Sequence, residues 1–329
     1  MKDFKVNIET LTAPITRQEF GRILIVGDSA DKDYMEFSAL ADLELEYADT
    51  TDEYAIATVL FNQRPKPTKV AVVAKNTLVH GDINDLLTPI KNEGWFGVVC
   101  TINNADMIAA LTTFAENNDK MYAVTTENLA SVDTQNSDNA IIGYHNDIAC
   151  ENFVVEALLQ HLLVREVGGT TGKARRLEGI EPAEITSGDL ETLTNNNGFT
   201  YIVKTGIAQT TEGTTSSGEY IDVVLGRYFI EFRIEEGLAR LLVNTPKIPY
   251  SNEGISQMVS VVRNVLNQST EQGIILVDDD GNGVFEITFV PREKTDTNDI
   301  ANRVYNGISF TATLAGGIHS GTISGELIL

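Results

Sequence analysis

The sequence predicts a protein of mixed α/β and α+β class, with an α/β module over residues 21–166, an α+β module over 167–310, and extended strand arms over 1–20 and 311–329. Three observations predict it. Short apolar runs alternate with helical patterns from residue 22 to residue 145, the signature of strands covered by helices. At residue 167 the composition shifts to glycine-rich connections, long amphipathic helices and late strands. Both termini alternate apolar and polar residues with period two. A chain of 329 residues has room for two or three such modules.

In chain order, Arg22-Ile23-Leu24-Ile25-Val26 ends at Gly27 as a buried strand does, and Lys69-Val70-Ala71-Val72-Val73-Ala74 repeats the form. Between them Thr50, with Glu53 three residues on, has the spacing of a capping box. Ile56, Val59 and Leu60 then recur at helical spacing, and Pro65-Lys66-Pro67 ends the helix because proline has no donor to continue it. A helix over 82–90, a strand over 96–101, a helix over 105–115 and strands over 121–125 and 140–144 follow, arranged around a largely parallel sheet. Cys150, Phe153, Val154, Ala157, Leu158, His161 and Leu162 then form one helical stripe, which makes His161 a hydrogen-bonded core residue.

Gly168-Gly169-Thr170-Thr171-Gly172 and Gly213-Thr214-Thr215-Ser216-Ser217-Gly218 read as flexible connections. A long helix follows, with Ile221, Val224, Leu225, Tyr228, Phe229, Phe232, Leu238, Leu241 and Leu242 on its apolar side, closed by Pro246 and Pro249. Ile255, Met258, Val259, Val262, Val265 and Leu266 mark a second. Strands are expected over 284–290, 308–314 and 322–329. Phe4, Val6 and Ile8 share one parity at the start of the chain, and Ile323, Leu327 and Leu329 share one at its end. A terminal strand with an apolar face is unfavourable in water until it pairs, within its own chain or by completing a neighbour's sheet.

Charge and composition exclude several functions. The 24 Lys+Arg against 47 Asp+Glu give a net charge of −23, opposite to what phosphate binding requires, so nucleic acid is not an expected partner. Lys173, Arg175 and Arg176, the notable basic cluster, are read as a solvated loop face or a protein contact. Cys100 and Cys150 lack CxxC partners, which argues against a disulfide scaffold or zinc site. No run reaches the ~20 apolar residues of a membrane helix, and the start lacks the apolar core of a signal peptide, so a soluble protein made in the cytosol is expected.

Gly27-Asp28-Ser29 after the first strand is where GDS-type esterases and lipases place their nucleophile. The partners fail. The late histidine sits in Gly316-Gly317-Ile318-His319, with glycine where an orienting aspartate belongs, and Gly81-Asp82-Ile83-Asn84-Asp85 is one residue too long for a G-x-N-D oxyanion donor. A strand-to-loop turn is the favoured reading, and the esterase is kept as the alternative. Asp278, Asp280, Asn282 and Gly283 match half of a calcium loop, but Phe289 stands at the bidentate position, which favours a β-turn. Gly172-Lys173 lacks both the first glycine and the Ser/Thr of a phosphate loop. His80, His145 and His319 have no partner at metal-ligand spacing. No catalytic, cofactor-binding or metal residue is assigned, and the chain is read as a non-enzyme without a cofactor.

One set of residues, in one order, has a precedent: Phe20-Gly21-Arg22-Ile23-Leu24-Ile25-Val26-Gly27, Phe61-Asn62-Gln63-Arg64-Pro65-Lys66-Pro67, Leu177-Glu178-Gly179-Ile180, Gly218-Glu219-Tyr220-Ile221-Asp222, Leu242-Val243-Asn244-Thr245-Pro246-Lys247-Ile248-Pro249-Tyr250 with Gly254-Ile255, and finally Arg303, Ile308-Ser309-Phe310 and Leu314-Ala315-Gly316-Gly317-Ile318-His319. In these, over nearly its whole length, the chain resembles the contractile-tail sheath proteins of myophages and of phage-tail-like bacteriocins. None of the motifs is specific alone; their shared order is.

The resemblance implies a structural subunit that polymerises with itself as stacked six-membered rings around a tail tube, contracting to drive that tube through a target envelope. Its partners would be further copies, the tail tube protein, the baseplate and the tail terminator, with no nucleic acid and no membrane insertion. Its place would be a virion tail or phage-tail-like particle, after synthesis in a bacterial cytoplasm. By the same resemblance, residues 4–12 (Phe4, Val6, Ile8, Thr10) and 322–329 (Ile323, Leu327, Leu329) are the strands given to neighbours, and 284–290 and 308–314 (Phe285, Ile287, Ile308, Phe310) form the receiving sheet. Residues 297–303 are assigned to the tube face through Arg303, against the competing reading of an ordinary connecting turn.

Overall fold

All five residues of β1 (Ile23–Gly27) are buried, because both faces of this strand are covered. Side chains alternate across a strand, and here the alternation divides two cores: Ile23 and Ile25 join one, Leu24 and Val26 the other. This is why the run is continuously apolar rather than period-two. The structure, a computed structural model, describes residues 19–149 and 151–320.

After β1 come β2 (Lys32–Phe37), α1 (Leu40–Glu44), α2 (Asp52–Asn62), β3 (Val70–Ala74), α3 (Ile83–Leu87), β4 (Gly97–Cys100), α4 (Ala105–Asn117), β5 (Met121–Thr126), β6 (Ala140–Tyr144) and α5 (Val154–Leu163). The six strands order as β2-β3-β1-β4-β5-β6, all parallel except β2, which is antiparallel to β3. Residues of α3 and α4 cover one face, and those of α2 and α5 the other.

The chain continues through α6 (Ser187–Asn195), the hairpin β7 (Tyr201–Lys204) and β8 (Ile207–Thr210), α7 (Ile221–Asn244), α8 (Asn252–Glu271), β9 (Phe285–Phe289), α9 (Thr297–Asn302) and β10 (Ile308–Ala312). The core beneath α2 and α5 does not stop at residue 166: it takes in Ile221, Val224, Leu225, Tyr228 and Phe229 of α7, Leu266 of α8 and Ile275. The seam is aromatic. Phe96 meets Phe20 edge-on at 4.8 Å and Tyr228 at 5.5 Å, and Phe20 lies 5.9 Å from both Phe229 and Phe232.

Several expectations are corrected. The cap of α2 is Thr51, whose side chain accepts from the Tyr54 amide, and not Thr50. With the helix starting one residue later, Glu53 turns inward and accepts from the Ser29 amide at 3.0 Å. The helical stripe is realised only from Val154, with Phe153 as N-cap, and Cys150 lies outside the described residues. His161 is buried as expected, and burial holds its pKa down at about 4. The two glycine-rich connections are packed, not loose. A Cβ on Gly168 would meet the Gly226 backbone at 2.4 Å, and one on Gly169 the Gln272 carbonyl at 1.8 Å. Ser216 and Ser217 bond to Ser137 and Asp138. The competing reading of residues 297–303 as a connecting turn gives way to a short helix, Thr297–Asn302, ended by Arg303 in the left-handed conformation.

Lys120 gives this core a pH dependence. It is buried, donates to the Trp95 carbonyl at 2.6 Å and lies 4.5 Å from the centre of that ring, and burial pulls its pKa down to about 7. The unfolded lysine holds its proton to a pH of about 10. Between those values the unfolded chain binds more protons, so stability rises with pH from about 7 to about 10 and falls on the way back. Unfolding free energies from urea titrations across that window should show a slope approaching about 1.4 kcal/mol per pH unit, flattened in Lys120→Met.

Candidate assembly interface

Strands β9 and β10 form a sheet of two, paired antiparallel as Ile308 with Phe289, Ser309 with Thr288, Phe310 with Ile287, Thr311 with Glu286 and Ala312 with Phe285. Opposed residues share a face. Phe285, Ile287, Ile308, Phe310 and Ala312 therefore lie together and pack against the main core, with α8 in contact with β9. The other face is polar and exposed, and there the Thr288 and Ser309 hydroxyls meet at 2.7 Å.

The ladder's alternation decides which main-chain groups face out. Val290 N–H donates to the Gly307 carbonyl, and Thr313 N–H to the Val284 carbonyl. Even-numbered residues of β9 thus address β10, whereas Ile287 and Phe289 turn their N–H and C=O to the outer edge. Among the described residues no strand pairs with that edge. The predicted Phe285 and Ile287 sit in this row, anchored by apolar side chains while their backbone faces away from β10. Phe289, inside the expected strand 284–290 but not singled out there, extends this row, and Ala312, inside the expected strand 308–314, opposes Phe285 on β10.

Around the sheet lie exposed apolar residues, among them Leu276, Val277, Phe289, Val290, Val304 and Leu314. Tyr250 ties this corner together. Its hydroxyl donates to the Val304 carbonyl at 2.9 Å, its carbonyl accepts from Arg292 Nε at 2.9 Å, and its ring stands edge-on to Tyr305. Arg303 is exposed at the end of α9. Asn252 binds Glu293 nearby and holds its carboxyl below the usual range, after the backbone bond that contributes most. Phe4, Val6, Ile8, Thr10, Ile323, Leu327 and Leu329 lie outside the described residues.

Among the described residues the enzymatic constellations weighed above do not assemble. Asp28 accepts from the Thr101 hydroxyl, the Ser29 amide is taken by Glu53, and a Cβ at Gly27 would strike Glu53, so this turn is a packed structural corner. Among the described residues no histidine bonds to Ser29: His145 holds the Glu181 carbonyl and the Asp147 amide, and His319 stands edge-on to Tyr220. The Asp278 carboxylate is occupied by the Asp280 and Asn282 amides, as the β-turn reading expects. Among the described residues no group of acids, histidines or cysteines could hold a metal ion, and no helix is long and apolar enough to cross a membrane. The basic cluster is partly neutralised, with Lys173 paired to Glu212 at 2.6 Å.

No family model and no curated protein matches the sequence. Solved structures match along its whole length. A chain of the anti-feeding prophage baseplate, solved by cryo-EM with six-fold symmetry, superposes with a TM-score of 0.72 at 10% identity, covering 100% of both chains. A chain of the contracted anti-feeding prophage helical sheath follows at a TM-score of 0.67 and 11% identity, covering 100% of this chain and 99% of that one. The chain has a tail-sheath fold. The crystal structure of a sheath tail protein from Listeria innocua shares this tail-sheath fold at a TM-score of 0.57 and 10% identity, covering 92% of this chain and 97% of its own. At such identities the likeness lies in the tail-sheath architecture rather than in particular side chains, and nothing in it supports the esterase alternative.

Proline substitution separates the two edges of β9. Thr288→Pro removes a donor facing β10 and should lower the unfolding midpoint markedly, whereas Ile287→Pro removes one facing outward and should disturb the fold much less. Circular dichroism melts of the two variants check the order.

Proposed function

We propose that the chain is the structural subunit of a contractile tail sheath, polymerising as stacked hexameric rings around a tail tube. The observation that carries this is the end-to-end match to a chain of a contracted helical sheath. The working division is an α/β module at 21–166, an α+β module at 167–310 and arms at 1–20 and 311–329. Strands at residues 4–12 and 322–329 would be given to neighbouring copies, and the β9–β10 sheet would receive them.

Main-chain pairing suits a lattice whose subunits slide and rotate, because its hydrogen bonds are indifferent to which flanking side chains are in contact. The outward groups of Ile287 and Phe289 support β9 as one receiving edge. Extended and contracted lattices would then differ in how unchanged subunits are arranged, and the drive is free energy stored at assembly, without nucleotide or metal. A net charge of −23 opposes spontaneous association of free subunits, so polymerisation is templated by tube and baseplate and closed by the terminator. Arg303, exposed on the 297–303 segment, is the proposed tube contact. The product resides in a virion tail or phage-tail-like particle after synthesis in the host cytoplasm. The subunit has no catalytic role.

Purified full-length protein mixed with its tail tube and baseplate should form striated tubes in negative-stain micrographs. Deletion of residues 1–15 should abolish them while leaving the circular dichroism spectrum intact. A fluorophosphonate probe should leave Ser29 unlabelled; labelling together with absence of tubes would favour the esterase.

A further inference from the structure

The two ends of the described body are held by very different means. At the N-terminal end, Glu19 N–H donates to the Gly94 carbonyl at 3.0 Å, and the Arg22 guanidinium pairs with Glu19 and Glu36 and donates to the Glu93 carbonyl. Phe20 is only 4% exposed and is seated among Phe96, Phe229 and Phe232, with the Arg233 guanidinium 5.2 Å from its ring. β1 begins directly afterwards. Moving this root would open the main core.

At the other end, β10 stops at Ala312, Thr313 N–H donates to the Val284 carbonyl and Ala315 N–H to the Ile274 carbonyl at 2.9 Å. Beyond Ala315, Gly316 has φ +62° with open space around it, a conformation that L side chains adopt only with strain. Gly317 lies close enough to Thr171 that a Cβ would come within 2.7 Å of its methyl group. Ile318 is 97% exposed. His319 then returns to the body, its ring edge-on to Tyr220 at 4.9 Å at the start of α7, with Nε2 shielded from solvent and the buried Asp222 carboxylate nearby. Among the described residues, one ring contact and one glycine contact hold this stretch.

We propose that residues 316–320 are a strap, fastened by His319 on Tyr220 and pivoting at Gly316, whereas residues 19–22 are a fixed root. The sheath reading supplies its consequence: when subunits rearrange, the N-terminal connection keeps its direction and the C-terminal one changes, by unfastening a single aromatic contact without disturbing the core. His319 is thus the residue that fastens the strap to the start of α7. The geometry itself does not depend on assembly.

Hydrogen exchange of the soluble full-length protein, resolved to single amides, tests the strap. His319→Ala should speed exchange at Ala315 roughly tenfold, the scale of one aromatic contact, while the Glu19 and Arg22 amides and the urea midpoint stay unchanged. His319→Phe, which keeps a ring against Tyr220, should retain the protection. Unchanged exchange at Ala315 in His319→Ala, equal acceleration at Glu19 and Arg22, or a wild-type Ala315 already exchanging as an unstructured peptide would each overturn the proposal. Failure of the wild-type protein to form tubes with its tube and baseplate, with the His319 effect intact, would instead overturn the sheath reading and leave the strap.

Discussion

The aromatic seam between the parallel sheet and α7 is the interaction on which the rest depends. Phe96 precedes β4, Phe20 precedes β1, and Tyr228, Phe229 and Phe232 lie along α7, so one cluster joins residues more than two hundred positions apart. Truncating a buried aromatic residue typically costs about 3–5 kcal/mol, a large part of the ~5–15 kcal/mol that holds an ordinary domain together. A change of composition at residue 167 therefore does not mark a break in the core. The long helix α7 belongs to the core of the sheet, and through α8 it carries β9 and β10.

A body built this way deforms least at its centre and most at its rim. The outer edge of β9, the exposed apolar residues around Tyr250 and the strap at 316–320 all lie outside that seam. On the proposed reading this separation is what a contracting lattice requires. On that reading subunits would keep their fold because the seam is closed, and contacts would be exchanged where the cost is one ring, one apolar patch or a set of main-chain hydrogen bonds.

Much of this was legible in the sequence, and what was missed has identifiable causes. The buried strands announced themselves because a sheet covered on both faces requires uninterrupted apolar runs such as Ile23 to Val26. β2 was missed because it is an edge strand whose residues are largely polar, Lys32 pairing with Glu46 and Glu36 with Arg22 and Lys69. The β7–β8 hairpin was missed because its turn is Thr205-Gly206, both at positive φ, flanked by the exposed Val203 and Ile207 rather than by a core pattern. The glycines at 168–172 looked like slack because sequence cannot distinguish freedom from close approach; Gly226 and Gln272 supply the reason only in three dimensions. At the interface, the resemblance put Phe285 and Ile287 in the receiving sheet, but which row turns its backbone outward depends on the ladder with β10, a tertiary fact.

The most direct measurement is amide exchange at Ile287 and Phe289 in the free subunit and in assembled tubes. If neighbouring copies are joined by strands added at the outer edge of β9, both amides slow by at least ~100-fold on assembly, as amides entering a sheet do. Tubes in which Ile287 and Phe289 exchange as fast as they do in the free subunit would contradict it.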